Sequence, residues 1–196
     1  MQKQELTNRQ MQALTTKNKI YNIAVELLEK NGYENIKIED ICKKAKVSVG
    51  SFYNYFESKS DILNEIFKRA DDYFEFEVID NLNSVNSLDK IVEFFNYYAN
   101  YNEIVGIDAM KQLYKFNNKL FIAEGRYMQN SLENIISKGQ SKGEISKDMT
   151  VDEISKYLFI AARGIAYDWC LHDGEYDIKE FMDNYFKQLV IIFKNT

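Results

Sequence analysis

The sequence predicts an all-α protein of about nine helices, built as a three-helix head and a larger helical body. Three observations carry that reading. The 196 residues contain no proline and only eight glycines, whereas turn-rich β architectures scatter both residues between their strands. Apolar side chains recur at three- and four-residue steps along most of the chain, the repeat of a helix face. No segment longer than a few residues alternates with the period of two that marks a strand, and no internal repeat is found.

The elements follow in order. Residues 1–15 are polar and glutamine-rich and are expected to form a flexible extension. From Lys17 the helical signal is clear, with Ile20, Tyr21, Ala24, Leu27 and Leu28 on one face. Gly32 fits the left-handed residue that closes a helix. A short second helix carries Ile38, Ile41, Cys42 and Ala45, and after Lys46-Val47 a third opens at Ser48, a good N-cap, and runs through Tyr53. Ser58-Lys59-Ser60-Asp61 has the form of a capping box and opens a fourth helix to about Asp80.

Beyond the polar loop at residues 81–87, helices are expected at roughly 88–102, 104–116 and 119–137. Gly139 and Gly143 bracket a loop, and Thr150-x-x-Glu153 caps a long apolar helix to about Leu171. The run His172-Asp173-Gly174-Glu175 breaks it before a last helix over residues 177–194.

Composition narrows the class. Two distant cysteines, Cys42 and Cys170, exclude a disulfide-stapled scaffold. The longest apolar run, Leu189-Val190-Ile191-Ile192-Phe193, falls far short of the ~20 residues a membrane helix needs. The polar start, Met1-Gln2-Lys3-Gln4-Glu5, is unlike a signal peptide. The expectation is a soluble, cytoplasmic protein with no membrane partner. Net charge is −5, but residues 1–70 hold 12 Lys and Arg against 9 Asp and Glu, while the rest hold 13 against 21. A mildly basic head on an acidic body suits a protein that meets a polyanion at one end only.

Three short helices in the first ~56 residues, the last two joined by a tight turn, describe a helix-turn-helix, whose second helix fits the DNA major groove. The residues Gly32-Tyr33, Ile36-Lys37-Ile38-Glu39-Asp40-Ile41, Ala45-Lys46-Val47-Ser48-Val49-Gly50-Ser51-Phe52-Tyr53-Asn54-Tyr55-Phe56 and Ser58-Lys59 sharpen this. They closely resemble the N-terminal domain of TetR-type (TetR/AcrR) transcriptional regulators, in register over residues 17–63. The rest matches only in length, helical character and the position of the Gly164/Trp169 helix. The resemblance implies a DNA-binding domain over residues 16–60 and a ligand-binding and dimerisation domain over residues 61–196.

Physical roles can be given residue by residue. Ile20, Ala24, Leu27, Ile38, Ile41, Val47, Phe52 and Phe56 would make the head's core. Ser48 caps the recognition helix and frees its first amides to face DNA. Gly50 removes a side chain either for close approach to DNA or for helix packing. Val49, Ser51 and Asn54 are best placed to meet base edges. The resemblance implies phosphate contacts from Tyr53 and Lys59, and Lys43, Lys44 and Lys46 add general attraction. Tyr55 reads as packing. Two positions depart from the family pattern. Lys37 stands where threonine usually caps the second helix, a loss of ~1 kcal/mol, and still reaches a phosphate. Lys46 stands where the turn usually has glycine, and a left-handed lysine costs about 1–2 kcal/mol.

Most aromatic residues lie in the body: Phe94, Phe95, Tyr97, Tyr98 and Tyr101 crowd one helix, followed by Tyr114, Phe116, Phe121 and Tyr127. Tyrosine buries a ring yet keeps a hydroxyl that wants a partner, which suits an apolar cavity with few polar contacts. By resemblance such a body holds a small-molecule inducer. Tyr97, Tyr101, Met110, Tyr114 and Trp169 are the expected liners, and the acidic body favours a neutral or cationic ligand. In the last two helices, Tyr157, Leu158, Ala161, Ile165, Phe181, Tyr185 and Leu189 give broad apolar faces, smoothed by Ala162, Gly164 and Ala166. Paired across a two-fold axis they would make a four-helix homodimer interface presenting two heads to a two-fold operator.

The expected function is a ligand-responsive transcriptional regulator, a repressor released from its operator by the inducer. A DNA-binding dimer without a small-molecule ligand is the alternative. An enzyme is the remote one: His172 is the single histidine, and no Gly-x-Ser-x-Gly, P-loop or paired-glycine fingerprint occurs. Asp168, Cys170, His172 and Asp173 are spaced poorly for a metal, and Cys42 sits on a core face where thiols are inert. No catalytic residue, cofactor or metal is expected.

Overall fold

The computed structural model describes residues 7–114, 119–123 and 125–195. The chain forms two compact units, residues 1–66 and 67–196. Nine α-helices are seen among the described residues.

The first unit begins with α1 (Asn8–Asn31). The Thr7 hydroxyl accepts from the Gln10 amide at 3.3 Å while the Gln10 side chain accepts from the Thr7 amide at 2.9 Å. This capping box starts the helix well before Lys17, where the apolar stripe suggested it. The stripe reports burial, not helicity: Met11 and Leu14 are helical but face solvent. Gly32, at φ 73°, closes α1. Helix α2 (Ile38–Ala45) gets no cap from the Lys37 side chain, as expected. Asp40 compensates by accepting the Lys37 backbone N–H at 3.2 Å. Lys46 adopts the left-handed conformation, φ 54° and ψ 46°, and the Val47 amide then reaches back to the Cys42 carbonyl at 3.0 Å.

Helix α3 (Val49–Tyr53) follows directly, and α4 (Lys59–Tyr73) opens with the Ser58 hydroxyl accepting from the Asp61 amide. The head's core is Ile20, Ala24, Leu28, Ile36, Ile41, Ala45, Phe52 and Phe56. Leu27, Ile38 and Val47, expected there, are only half-buried. Helix α4 starts in the first unit and ends in the second. Its continuation changes pitch, first to a π turn over Phe74–Val78 and then to a 3₁₀ turn over Ile79–Asn81.

In the second unit, α5 (Ser87–Val105) is the central post, packed against α6 (Ile107–Leu113), α7 (Tyr127–Lys142), α8 (Val151–Leu171) and α9 (Ile178–Leu189). Phe95 of α5 stacks on Phe186 of α9, with ring centroids 4.1 Å apart, and Phe94 and Phe159 pack edge-on around it. The Thr150/Glu153 capping box opens α8 as the sequence indicates. Helix α6 is described only to Leu113, and Phe116 lies outside the described residues. A 3₁₀ turn over Lys119–Ile122 precedes α7, which starts later than expected.

Gly139 corrects the reading of the next loop. It belongs to α7, and only Gly143, left-handed at φ 74°, ends the helix. A Cβ on Gly139 would lie 2.5 Å from Ile145 Cδ1 and 2.8 Å from Ser87 Cβ, so glycine is needed for close packing, not for a turn. Gly139→Ala is expected to destabilise the protein by about 1–3 kcal/mol through overpacking, although helix propensity alone would favour alanine by ~1 kcal/mol. The urea unfolding midpoint measures the sign.

Candidate nucleic-acid interface and ligand site

Helix α3 is fixed at its N-terminus by Ser48, whose hydroxyl accepts from the Ser51 amide at 3.0 Å. Phe52 and Phe56 anchor its inner side, fully buried with centroids 5.6 Å apart. The outer side is then set by helix geometry: Val49, Gly50, Tyr53 and Asn54 are exposed and share one face. Tyr53, 54% exposed, rests its ring edge-on against Phe52 and leaves its hydroxyl to solvent. Ser51 and Tyr55 are half-buried. A Cβ on Gly50 would meet nothing nearer than Ser48 Oγ at 3.9 Å, so packing within this chain does not require glycine there. Lys37, Lys43, Lys44 and Lys46 are exposed, and Lys44 pairs with Glu26 of α1.

Lys59 is placed differently from the expectation. Its ammonium donates to the Tyr33 and Ile36 carbonyls at 2.6 and 3.1 Å and sits 4.1 Å from the Tyr33 ring centroid. It locks the start of α4 onto the turn before α2. Lys17 does related work from α1, pairing at 2.8 Å with the buried carboxylate of Glu65. A charge count gave no sign of either role, because a lysine that ties two elements looks in sequence like one that faces solvent.

The five expected ligand liners separate into groups. Tyr97 and Tyr101 gather around Tyr73 at the end of α4, with Tyr101 5.2 Å from it, centroid to centroid, and Asn100 donating to the Tyr73 hydroxyl at 3.0 Å. Tyr114 stacks on Phe121 at 4.6 Å. Its hydroxyl is buried without a well-formed hydrogen bond, beside Tyr98 and Arg163. Burial drives both phenols above their ordinary range, so each stays neutral. Met110 is buried. The Trp169 indole N–H donates to the Tyr176 carbonyl at 3.0 Å and its ring packs near Gly174, at the turn between α8 and α9.

One arrangement was not legible in the sequence. Arg126 donates through Nε to Asp71 at 3.0 Å and through Nη2 to the Phe67 carbonyl at 3.0 Å, with its guanidinium 4.0 Å from the Phe67 ring centroid. Asp71 also accepts from the Met128 amide, capping α7. Phe121 packs edge-on against Phe67 and accepts from Arg163 at its carbonyl. A chain of contacts thus runs from Tyr114 through Phe121 and Phe67 to α4, with Arg126 clasping the same stretch of α4 to α7.

The expected dimer residues divide as well. Leu158 and Ile165 face inward, 0% and 5% exposed, and are core. Ala161 and Leu189 are half-buried. Tyr157, Phe181 and Tyr185 do face outward, joined by Ile160, Tyr167 and Leu171, which the sequence reading missed. These α8 positions, with Gly164, make a stripe at helical spacing on the outer surface. The period alone could not tell which of two apolar faces on α8 turns inward.

Among the described residues no His, Cys, Asp and Glu group is arranged for a metal. His172 contacts its own helix through Asp168, and Asp173 pairs with Lys111. Cys42 and Cys170 are buried free thiols, and burial pushes Cys170 up to about 11. No described helix is long and apolar enough to cross a membrane.

A capped recognition helix with an exposed basic surround, joined to a helical body, defines a helix-turn-helix transcriptional regulator. Residues 20–66 match the pattern of "Bacterial regulatory proteins, tetR family" and residues 111–192 that of "YsiA-like protein, C-terminal region". The chain belongs to the tetR family. It is 25% identical over 179 residues to the "Fatty acid metabolism regulator protein" of Bacillus subtilis (strain 168), covering 87% of this chain and 92% of that one. Two solved structures share the fold. The Bacillus subtilis regulator FadR in complex with stearoyl-CoA aligns with TM-score 0.67 and 24% identity, covering 88% and 97% of the two chains. Thermus thermophilus FadR, a repressor in complex with lauroyl-CoA, aligns with TM-score 0.66 and 17% identity, covering 89% and 93%.

Two substitutions separate the structural lysines from the DNA-facing ones. Lys59→Met should lower stability in the absence of DNA by about 1.5–3 kcal/mol, because two carbonyls lose a charged donor. Lys46→Gly should raise it by about 1 kcal/mol by relieving the left-handed lysine, while weakening DNA binding at low salt through the lost charge. Thermal unfolding and binding to a DNA duplex read the two effects independently.

Proposed function

We propose that this regulator is a repressor that holds a two-fold operator as a homodimer and leaves it when a small molecule occupies the body. The observation that carries the reading is the α3 face, where Ser48 fixes the helix and Val49, Gly50, Tyr53 and Asn54 stand in solvent with no partner required by the fold. Val49, Ser51 and Asn54 meet base edges, and Gly50 lets the backbone approach. Tyr53, Lys37 and Lys46 take phosphates. Lys59 contributes by positioning α4, given its two carbonyl partners. The outward stripe of α8, with Phe181 and Tyr185 of α9, supports self-association, since an apolar face of this kind is costly to leave in water.

The inducer site is the aromatic interior around Tyr114, Tyr98, Phe121 and Met110. A buried phenol with no good partner gains a hydrogen bond when a ligand carbonyl arrives. The bound stearoyl-CoA and lauroyl-CoA of the two similar proteins support a long acyl chain as the class to test first. The acidic body favours a neutral or cationic molecule, so the chain and its head group are tested separately. Release requires the ligand to prefer the state that does not bind DNA. The Tyr114–Phe121–Phe67 contacts and the Arg126 clasp give it a route to α4. We assign no catalytic role to the protein and place it in the cytoplasm, with the DNA it reads.

The test is a salt titration of binding to the DNA upstream of the protein's own gene, against scrambled DNA of equal length. Binding kept near physiological salt on the native fragment alone is expected, and equal, steeply salt-sensitive binding to both would defeat the operator reading. Tyr53→Phe should weaken it about 3- to 10-fold, the worth of one hydrogen bond. Stearoyl-CoA, a neutral long-chain ester and a lipophilic cation are then added in turn. Release by none of them leaves the unliganded DNA-binding dimer as the better reading. Ile160→Glu with Leu171→Glu should give a monomer by sedimentation and lose operator binding.

A further inference from the structure

A cavity opens at the surface of the second unit, between α7 and the connection from α4 to α5. Its volume is about 210 Å³. Ile79, Leu82 and Val85 of the connection and Ile135 of α7 form its apolar wall. Lys90, Lys138 and Lys142 also line it, and no Asp or Glu does. In an acidic body, with 13 Lys and Arg against 21 Asp and Glu beyond residue 70, that is a local inversion of charge. None of the three lysines forms an ion pair among the described residues.

The apolar wall is held open by hydrogen bonds that do not involve its side chains. Glu93 accepts from the Asn83 and Ser84 amides, both at 3.0 Å, and Glu144 accepts from the Ser87 amide at 2.8 Å. Asn86 caps α5 through the Leu88 amide at 2.8 Å. Val85, 88% exposed, is therefore kept in water by a pinned backbone. Hydrogen bonds from Ser87 hold the Glu144 carboxyl below its usual range, with smaller help from Lys142 and Lys90, and Lys90 also acts on Glu93. Both carboxylates are occupied with backbone amides. Lys138, one turn before Lys142 on the same α7 face as Ile135, forms no ion pair among the described residues.

We propose that this groove binds a phosphate monoester carried on a short apolar chain. Three ammonium groups outnumber the two carboxylates beside them, both of which are held by backbone amides, and a dianionic phosphate meets more than one ammonium at once. The apolar wall selects against the bare ion. The volume, below the ~300–1,000 Å³ of pockets for drug-sized ligands, limits the occupant to a head group and a few methylenes. The site is separate from the aromatic interior and stands whether or not the inducer reading does.

The experiment uses the full-length protein with carbon-13 methyl labels on isoleucine and hexyl phosphate as the probe. Saturable shifts of the Ile79 and Ile135 methyl signals are expected, with at least tenfold weaker binding of hexanol, hexanoate and inorganic phosphate. Lys138→Glu combined with Lys142→Glu should abolish the shifts, while Lys30→Glu, the same kind of charge reversal on α1, should not. Both variants keep exposed positions and are checked for unchanged circular dichroism and DNA binding. Equal binding of hexanol would reduce the groove to an apolar cleft, equal binding of hexanoate would remove the phosphate, and equal binding of inorganic phosphate would remove the chain. Shifts that survive the double charge reversal, or none at Ile79 and Ile135, would overturn the proposal outright.

Discussion

The second unit depends on the stack of Phe95 on Phe186, because it fixes the helix that every other helix there leans on. Helix α5 buries Leu88, Ile91, Val92, Phe94, Phe95, Tyr98, Ala99, Asn102 and Val105 on one broad face, and Glu93, Asn96, Tyr97, Asn100 and Tyr101 beside that face are half-buried. A helix with so wide a buried face can take several neighbours at once. Its neighbours then need only one apolar face each, and α8 has two. The inner one, Ile154, Leu158, Ala162, Ile165 and Trp169, is spent on the core. The outer stripe is surplus to the monomer's fold, which is why it informs function. Truncating a buried phenylalanine typically costs about 3–5 kcal/mol, comparable with a domain's whole stability, so that stack leaves little tolerance for change.

Much of this was legible in the amino-acid order. The absence of proline, the three- and four-residue steps and the capping boxes at Ser58 and Thr150 locate most helices, because each signal comes from a local physical demand. The head's Phe52 and Phe56 are likewise readable as core. What failed is equally physical. Helix α1 begins at Asn8 because Thr7 and Gln10 cap it, and its first turns have no apolar face for periodicity to detect. Gly139 looks like a loop residue in sequence, yet it is a helix residue shaved down to admit Ile145 and Ser87. Both are cases where a residue type has two uses and only the surroundings decide between them.

The candidate sites show the same limit more sharply. Lysine is the clearest case, since Lys46, Lys59 and Lys138 are one residue type with three fates. The first bends the chain into a left-handed turn, the second donates to two carbonyls, and the third lines a groove. Charge counting sees three equal positive units. Trp169 was expected among the ligand liners, and its N–H, which needs a partner, has one in the Tyr176 carbonyl. A buried polar hydrogen is satisfied locally where the chain permits it. Tyr114, whose hydroxyl finds none of good geometry, is therefore the more informative aromatic residue.

That contrast bears on how the body could act on α4. A ligand moves an equilibrium only by the difference between its affinities for the two states, and moving it from 1:99 to 99:1 takes about 5.5 kcal/mol. One hydrogen bond to Tyr114 supplies a small part of that, since such bonds are worth about 0.5–1.5 kcal/mol. The remainder has to come from burying ligand surface in one state only. The geometry makes that possible, because Phe121 touches Tyr114 on one side and Phe67 on the other. A molecule that separated the first pair by moving Phe121 would also disturb the second. Arg126 opposes the displacement with its bonds to Asp71 and the Phe67 carbonyl and its stacking on the Phe67 ring. At the proposed inducer site the clasp would set a threshold: a ligand that left Phe121 in place would leave α4 alone, and one that moved it would have to break the clasp. Directly beyond the clasp, α4 passes into a π turn, the kind of irregularity found where helices change at functional sites.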